Sequence, residues 1–277
     1  MKALCIRKGV HLFNEKRIVR MRTPPFRCLF CGSEHGPFNS VEHPIPESMG
    51  NDDTVVPKGF VCDACNQYFG SKLEKQIMAS PPFNVERVRA SIKTKKHGFS
   101  KYADDGLILL SHGFWDHALC AMSPEKYKTV FQDNQGVLWV NTPPNYIILL
   151  ARFLIKMGLE LLVLSDTLDV YSSAFDKARR CARFGEGSIS WEVAYGRFHK
   201  EGDLAISKRF DEHGPLETRR IYEYEMGCML PNGECQLVFN YLGHCYACNL
   251  SKPSLQEYIG KFNFQMEIGS GLMLPGT

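Results

Sequence analysis

Two Cys-x-x-Cys pairs, Cys28/Cys31 and Cys62/Cys65, bracket a Glu42-His43 dipeptide, and Asn66 follows the last cysteine directly. Four thiolates delivered by two tight turns suit one tetrahedral Zn²⁺. Such an ion would replace the core that so short a segment cannot build for itself. A closed set of four sulfurs leaves no open coordination position, so zinc held there is structural and does no chemistry. Any reaction has to come from the residues between the two knuckles.

The run from Arg27 to Glu74 resembles the HNH, or ββα-metal, endonuclease family, in its four-cysteine zinc-containing subset and stand-alone bacterial type. The resemblance rests on the two CxxC pairs, on Glu42-His43-Pro44-Ile45-Pro46, on the Gly50-Asn51 turn, and on Asn66 after the second pair. It implies a β-hairpin carrying the acid-His pair, a facing helix carrying the last ligand, and a divalent ion between them. It further implies that His43 is the general base and that Glu42 and Asn66 ligate the catalytic cation. Cys28, Cys31, Cys62 and Cys65 would hold the structural Zn²⁺. An oxygen-rich site with few protein ligands suits Mg²⁺ or Mn²⁺. An imidazole with an ordinary pKa of about 6.5 suits a base at cellular pH.

The run departs from the family pattern in three places. Asn66 stands where the family often has His. Gly70 stands where some members add a ligand one helical turn further on. Asn51, Asp53 and Thr54 all lie near the expected place of the asparagine that braces the hairpin. Adjacent strand residues point to opposite faces, so Glu42 and His43 reach one site only if the backbone bends. Pro44 and Pro46 restrict it there. Plainer roles stand beside these: His43 as a surface histidine, His35 as a loop residue, Asn66 as a helix N-cap. Lys72 and Glu74 read as a solvated helix face, with Lys72 in reach of a phosphate. A non-catalytic, zinc-scaffolded nucleic-acid or protein binding module is the rival reading, and RNA is a rival substrate to DNA.

The chain has 277 residues, 44% of them hydrophobic, enough for a small module and one larger domain. The expected division is a basic segment over residues 1–25, the HNH module over 26–80, and a mixed α/β domain over 81–277. A net charge of +3 excludes a wholly basic nucleic-acid coat, so a nucleic-acid surface must be a local patch. The densest basic run holds Arg87, Arg89, Lys93, Lys95, Lys96 and Lys101. It reads as a hairpin turn and as the candidate for phosphate contacts outside the zinc module. The N-terminus shows no signal-peptide pattern. Eleven cysteines, four at zinc spacing, argue for a reducing, cytoplasmic setting.

The longest apolar stretch, Tyr146 to Leu164, is interrupted by Arg152, Lys156 and Glu160 at steps of four. These form one polar stripe, the pattern of an amphipathic packed helix and not of a membrane span. A second helix is expected from about Ser172 to Phe184, capped by Gly185. Its AFDKARRCARFGE stretch is similar to one in stand-alone bacterial HNH proteins, as a DNA contact or as a tie to the module. Short strands are expected over 106–142 and 190–198. A hairpin is expected over 221–242 around Asn232-Gly233, then a strand through Tyr246 and a helix from Pro253. His112 and His117 read as packing or surface residues. Cys245 and Cys248, with Cys228 and Cys235, read as buried thiols in preference to a second zinc site. The fold class expected is α+β: the zinc-stabilised ββα-metal module followed by a mixed domain with an antiparallel sheet. DNA is the expected partner, with no membrane; a homodimer and a defence-system or restriction partner are open.

Overall fold

The computed structural model describes residues 3–12, 24–51, 54–94, 98–104, 106–111, 118–132, 135–136, 142–165, 169–197, 207–211, 214–218, 220–229, 234–255 and 267–269. Its architecture is α+β with antiparallel sheets.

The two knuckles form as their spacing requires. The Cys28 N–H donates to Ser33 O at 2.8 Å and the Gly32 N–H to Cys28 O at 2.9 Å. Gly32 closes that turn at φ +72°, a conformation open to glycine at no steric cost. In the second knuckle the Cys65 and Asn66 N–H groups both donate to Cys62 O at 3.0 Å. A bond from Leu29 N–H to Phe60 O, 2.7 Å, ties one knuckle to the other. The hairpin between them shows one antiparallel bridge, Glu42 with Val56.

The helix after the second knuckle runs as α1 (Asp63–Tyr68), a π-helical turn (Phe69–Glu74) and α2 (Lys75–Met78). Phe69, Leu73 and Ile77 are buried, as their four-residue recurrence predicts. The π turn has no signature in that recurrence. Its place one turn beyond Asn66 fits the frequency of such turns at functional sites.

The basic run does not form one turn. Arg87 and Arg89 lie on α3 (Phe83–Arg89), because Pro82 caps a helix there whose Phe83 and Val88 are buried. Lys93 pairs with Phe99 as an antiparallel bridge. Lys95 and Lys96 lie outside the described residues. Strands β2 (Lys101–Asp104), β3 (Leu107–Ser111) and β4 (Ala118–Met122) make a small antiparallel sheet on α3. His112, His117 and the 137–140 run are outside the described residues. Helix α4 (Pro124–Val130) and the short pair β5 (Phe131–Gln132) and β6 (Gln135–Gly136) follow.

The long helix appears as α5 (Tyr146–Val163). A 3₁₀ turn (Ser173–Phe175) then leads into α6 (Asp176–Phe184), with Gly185 in the left-handed conformation at its end. Strands β7 (Val193–Arg197), β8 (Ser207–Asp211), β9 (Gly214–Thr218), β10 (Arg220–Met229), β11 (Glu234–Tyr241), β12 (His244–Asn249) and β13 (Glu267–Gly269) complete the order. The main sheet runs β1-β10-β11-β12-β7-β13, where β1 is Ala3–Leu12. The expected hairpin is β10–β11, with Tyr222 opposite Tyr241 and Cys228 opposite Cys235. Residues 230–233, including Asn232-Gly233, are outside the described residues, as are residues 13–23 of the basic segment and everything from 256 to 266.

One hydrophobic core runs from Cys28 to Leu250. It joins Phe69, Leu73 and Ile77 of the zinc segment to α5 and to Leu237 and Phe239 of the sheet. Helix α5 is its axis, and it approaches the end of β12 closely: a Cβ on Gly158 would sit 2.6 Å from the Leu250 side chain. Contact of that kind explains a glycine in a helix interior, where it costs about 1 kcal/mol against alanine. No helix among the described residues is long and apolar enough to cross a membrane.

The polar stripe of α5 is where sequence and structure part. A stripe on an amphipathic helix is expected to face water, yet Lys156 and Glu160 are 0% exposed. The stripe faces the acid-His hairpin instead, because carboxylates there supply the countercharge that burial of an ammonium demands.

A second buried charge group ties α3 to the sheet. His244 Nε2 lies 3.1 Å from Glu86 Oε1, and Arg89 Nε donates to Glu86 Oε2 at 2.7 Å. Burial alone would raise the Glu86 carboxyl. The hydrogen bond from His244 and the Arg89 charge outweigh it and hold the group below its ordinary 4.5. A lowered carboxyl pKa contributes stability that is present above 4.5 and lost as pH falls through the folded value. The gap in Tm between wild type and Glu86→Gln is therefore expected to narrow below pH 4.5 relative to neutral pH. A gap independent of pH would assign the pair no linkage to folding.

Candidate active site and metal centre

The sulfurs of Cys28, Cys31, Cys62 and Cys65 all lie within 4.8 Å of one another. Cys31 Sγ and Cys62 Sγ are 3.7 Å apart, close to the edge of about 3.8 Å for a tetrahedron with Zn–S bonds of about 2.3 Å. The four thiols cannot all ionise unaided. A hydrogen bond from Cys65 pulls Cys28 down to about 4, while burial and the neighbouring sulfurs push Cys62 up to about 11, and the hydrogen bond to Cys28, with burial, raises Cys65 higher still. A divalent cation among them removes that conflict. The donor set and its geometry fit Zn²⁺.

Helix α6 reaches this cluster. Arg183 Nε donates to Cys65 Sγ at 3.2 Å, and its guanidinium lies 4.0 Å from the Tyr68 ring centroid. Arg152 of α5 donates to Tyr68 Oη at 2.6 Å and to Ala182 O. Tyr171 Oη donates to Arg27 O at 2.6 Å. Arg179 turns inward onto Val170 O. Of the two roles open for the AFDKARRCARFGE stretch, these contacts describe the tie to the zinc segment.

His43 projects from the hairpin, with its side chain 17% exposed. Its Nε2 lies 3.2 Å from Glu47 Oε1, in the 3₁₀ turn Glu47–Met49 four residues on. Asn51 is the brace. Its amide nitrogen donates to Ile45 O at 2.6 Å and Thr54 O at 2.8 Å, and its oxygen accepts from Thr54 N–H at 2.9 Å. That choice among Asn51, Asp53 and Thr54 was open in the sequence; Asp53 itself is outside the described residues. Both Asn51 amide hydrogens are thus committed, so its 3.4 Å approach to His43 Nδ1 has no third hydrogen to give. With Nε2–H directed at Glu47, the lone pair belongs to Nδ1. Tyr222 of β10 also donates to Asn51 Oδ1, at 3.2 Å.

Glu42 is buried, at 5% exposure. Its Oε1 lies 2.5 Å from Lys156 Nζ. Its Oε2 is closed off from water and has no hydrogen-bond partner among the described residues. Burial raises the Glu42 carboxyl, and Lys156 opposes that rise. Asn66 is not the helix N-cap, a place taken by Cys62, but sits within the first turn. Its amide nitrogen donates to Val41 O at 2.9 Å, which leaves Oδ1 as the atom available to a cation. Gly70, one turn further, faces open space. An unpartnered carboxylate oxygen and an amide oxygen suit a hard cation.

Lys72 and Lys93 are exposed. Arg87 is half-buried, and Arg89 is bound to Glu86, so these two are poorly placed for phosphate contacts. Glu74, expected on a solvated face, is drawn to Lys156 at 2.9 Å. His35 is an exposed loop residue. Cys235, Cys245 and Cys248 are buried, and burial pushes the Cys245 thiol up to about 12. Sequence reasoning missed Glu47, Lys156 and Arg183 as site residues. Only Glu47 carried a local signal, its i, i+4 spacing from His43.

Residues 28–81 match the HNH endonuclease family. No curated protein and no solved structure matches the chain.

Proposed function

From the HNH endonuclease match over residues 28–81, we propose that this chain is a metal-dependent endonuclease that hydrolyses phosphodiester bonds in DNA. The observation that carries the reading is the bond from Asn66 Nδ2 to Val41 O. It joins the first turn of the helix to the residue before Glu42-His43, within a segment pinned by four converging sulfurs.

His43 takes the proton of the attacking water on Nδ1. Glu47 accepts the Nε2–H, holds that tautomer, and stabilises the imidazolium that forms. Asn51 fixes the backbone that follows His43, at Ile45 and at Thr54. Glu42 Oε2 and Asn66 Oδ1 are the oxygens that would hold Mg²⁺ or Mn²⁺. When bound, the ion supplies positive charge to the phosphoryl oxygens and the leaving O3′. Lys72 and Lys93 are the exposed cations for backbone phosphates. A site built around one phosphate reads no sequence by itself.

The hold of Lys156 on Glu42 favours a second reading. In it the segment is a zinc scaffold that binds nucleic acid or protein without cutting. A supercoiled plasmid decides between them. The endonuclease reading expects relaxed or linear DNA with Mg²⁺ or Mn²⁺ and none with a chelator. Retarded but intact plasmid under all metals would leave the binding module, and faster loss of an RNA of equal length would change the substrate.

A further inference from the structure

Lys156 Nζ has four oxygens within 2.9 Å. They are Glu42 Oε1 at 2.5 Å, Glu160 Oε2 at 2.8 Å, and Glu74 Oε1 and the His43 carbonyl oxygen, each at 2.9 Å. An ammonium has three hydrogens. Glu42, Glu74 and the His43 carbonyl accept them, and Glu160 is held by charge. The group is wholly buried, and its carbon stem packs in the core of α5. One side chain therefore grips the hairpin at two consecutive residues and the helix at a third point, from a position more than eighty residues away in sequence.

We propose that Lys156 is the positioning residue of this site: it clamps one oxygen of Glu42 and the backbone of His43, so that the other Glu42 oxygen is presented to a divalent cation. The inference rests on the endonuclease reading. The clamp explains why Glu42 Oε2 is left without a hydrogen-bond partner among the described residues while Oε1 is engaged by the ammonium. It also explains why a lysine is tolerated at the centre of a core helix. Without the ammonium, the Glu42 and Glu74 carboxylates would face each other uncompensated and turn apart.

The sign of the effect separates positioning from simple charge. A cation close to a metal site repels the metal, so if charge alone mattered, removing Lys156 would tighten metal binding. If the clamp matters, removing it loosens binding, by the 10–100-fold typical of residues that orient metal ligands.

The test uses the full-length, zinc-loaded chain and Mn²⁺ titration followed by EPR of the free ion, a readout independent of cutting. Wild type, Glu42→Gln and Lys156→Met are compared, with zinc content as the measure of an intact scaffold. The expected result is Mn²⁺ uptake by wild type, loss of it in Glu42→Gln, and about 10–100-fold weaker uptake in Lys156→Met with zinc retained. Should Lys156→Met lose its zinc, Lys156→Met combined with Glu160→Leu replaces it, since that pair removes the ammonium together with a fully buried carboxylate. Unchanged or tighter uptake in the zinc-retaining variant overturns the positioning role and leaves the endonuclease reading standing. Failure of wild type to take up Mn²⁺, or equal uptake by Glu42→Gln, overturns both.

Discussion

Replacing His43 with alanine is expected to slow plasmid cutting by about 10²–10⁴-fold, the usual contribution of a positioned base. That loss corresponds to about 3–5 kcal/mol of transition-state stabilisation. The fold is expected to survive it. His43 is a partly buried hairpin residue, and the bonds that hold the hairpin come from Asn51, from the Glu42–Val56 bridge and from the Lys156 contact to the His43 carbonyl. None of these uses the imidazole. Zinc content and Tm should stay near wild type while the initial rate of nicking falls. Cutting at the native rate by His43→Ala would place the base elsewhere in the chain. A parallel loss of zinc would make the histidine a scaffold residue instead. Glu47→Gln, which keeps the size but loses the charge beside Nε2, is expected to cost less than the base itself.

The second large effect is expected at the sulfurs. Cys28 and Cys65 are at most 1% exposed, whereas Cys31 is exposed. Substituting Cys65→Ser removes a zinc ligand and takes away the acceptor of the Arg183 bond. Structural zinc in small modules carries about 10–16 kcal/mol of apparent binding free energy. Here part of the load is shared, since the knuckles also pack against α5 and α6 through Phe69, Tyr68 and Tyr171. The expected outcome is loss of stoichiometric zinc and a fall of several kcal/mol, about 10 °C or more in Tm. Cys31→Ser, at the exposed corner, is expected to weaken zinc binding with a smaller drop in Tm. Metal analysis and thermal unfolding of the two variants check this. Four thiols open to a thiol reagent in a fully folded, zinc-free wild type would contradict the zinc centre.

The two effects act on different links of one chain of cause. The cysteines determine whether the hairpin and helix meet at all. His43 acts only once they have met. A cysteine variant should therefore lose stability and activity together, while a His43 variant should lose activity alone.

What the amino-acid order determined by itself was everything carried by short spacing. Two CxxC turns announce their metal, because two thiolates in one tight turn have little else to do together. Glu42-His43, Asn66 and the Pro44 and Pro46 bend are within one segment, so their neighbourhood needs no tertiary information. The apolar periods of α5 and the α1–α2 run likewise announced helices, because period reports which face is buried. Only the tertiary structure decided which partner each polar residue takes. The stripe of Arg152, Lys156 and Glu160 has the same period whether it faces water or carboxylates. Its burial follows from Glu42 and Glu74, which lie more than eighty residues away in sequence. Arg89 looks like a surface charge until Glu86, held by His244, is seen to bind it, and Arg87 looks like one although it is half-buried. Asn51 stood out from Asp53 and Thr54 only when the carbonyls of Ile45 and Thr54 converged on its amide. Local pattern encodes backbone form and the side to be covered; the identity of the covering residue is a long-range fact, settled when buried charges must find countercharges to be folded at all.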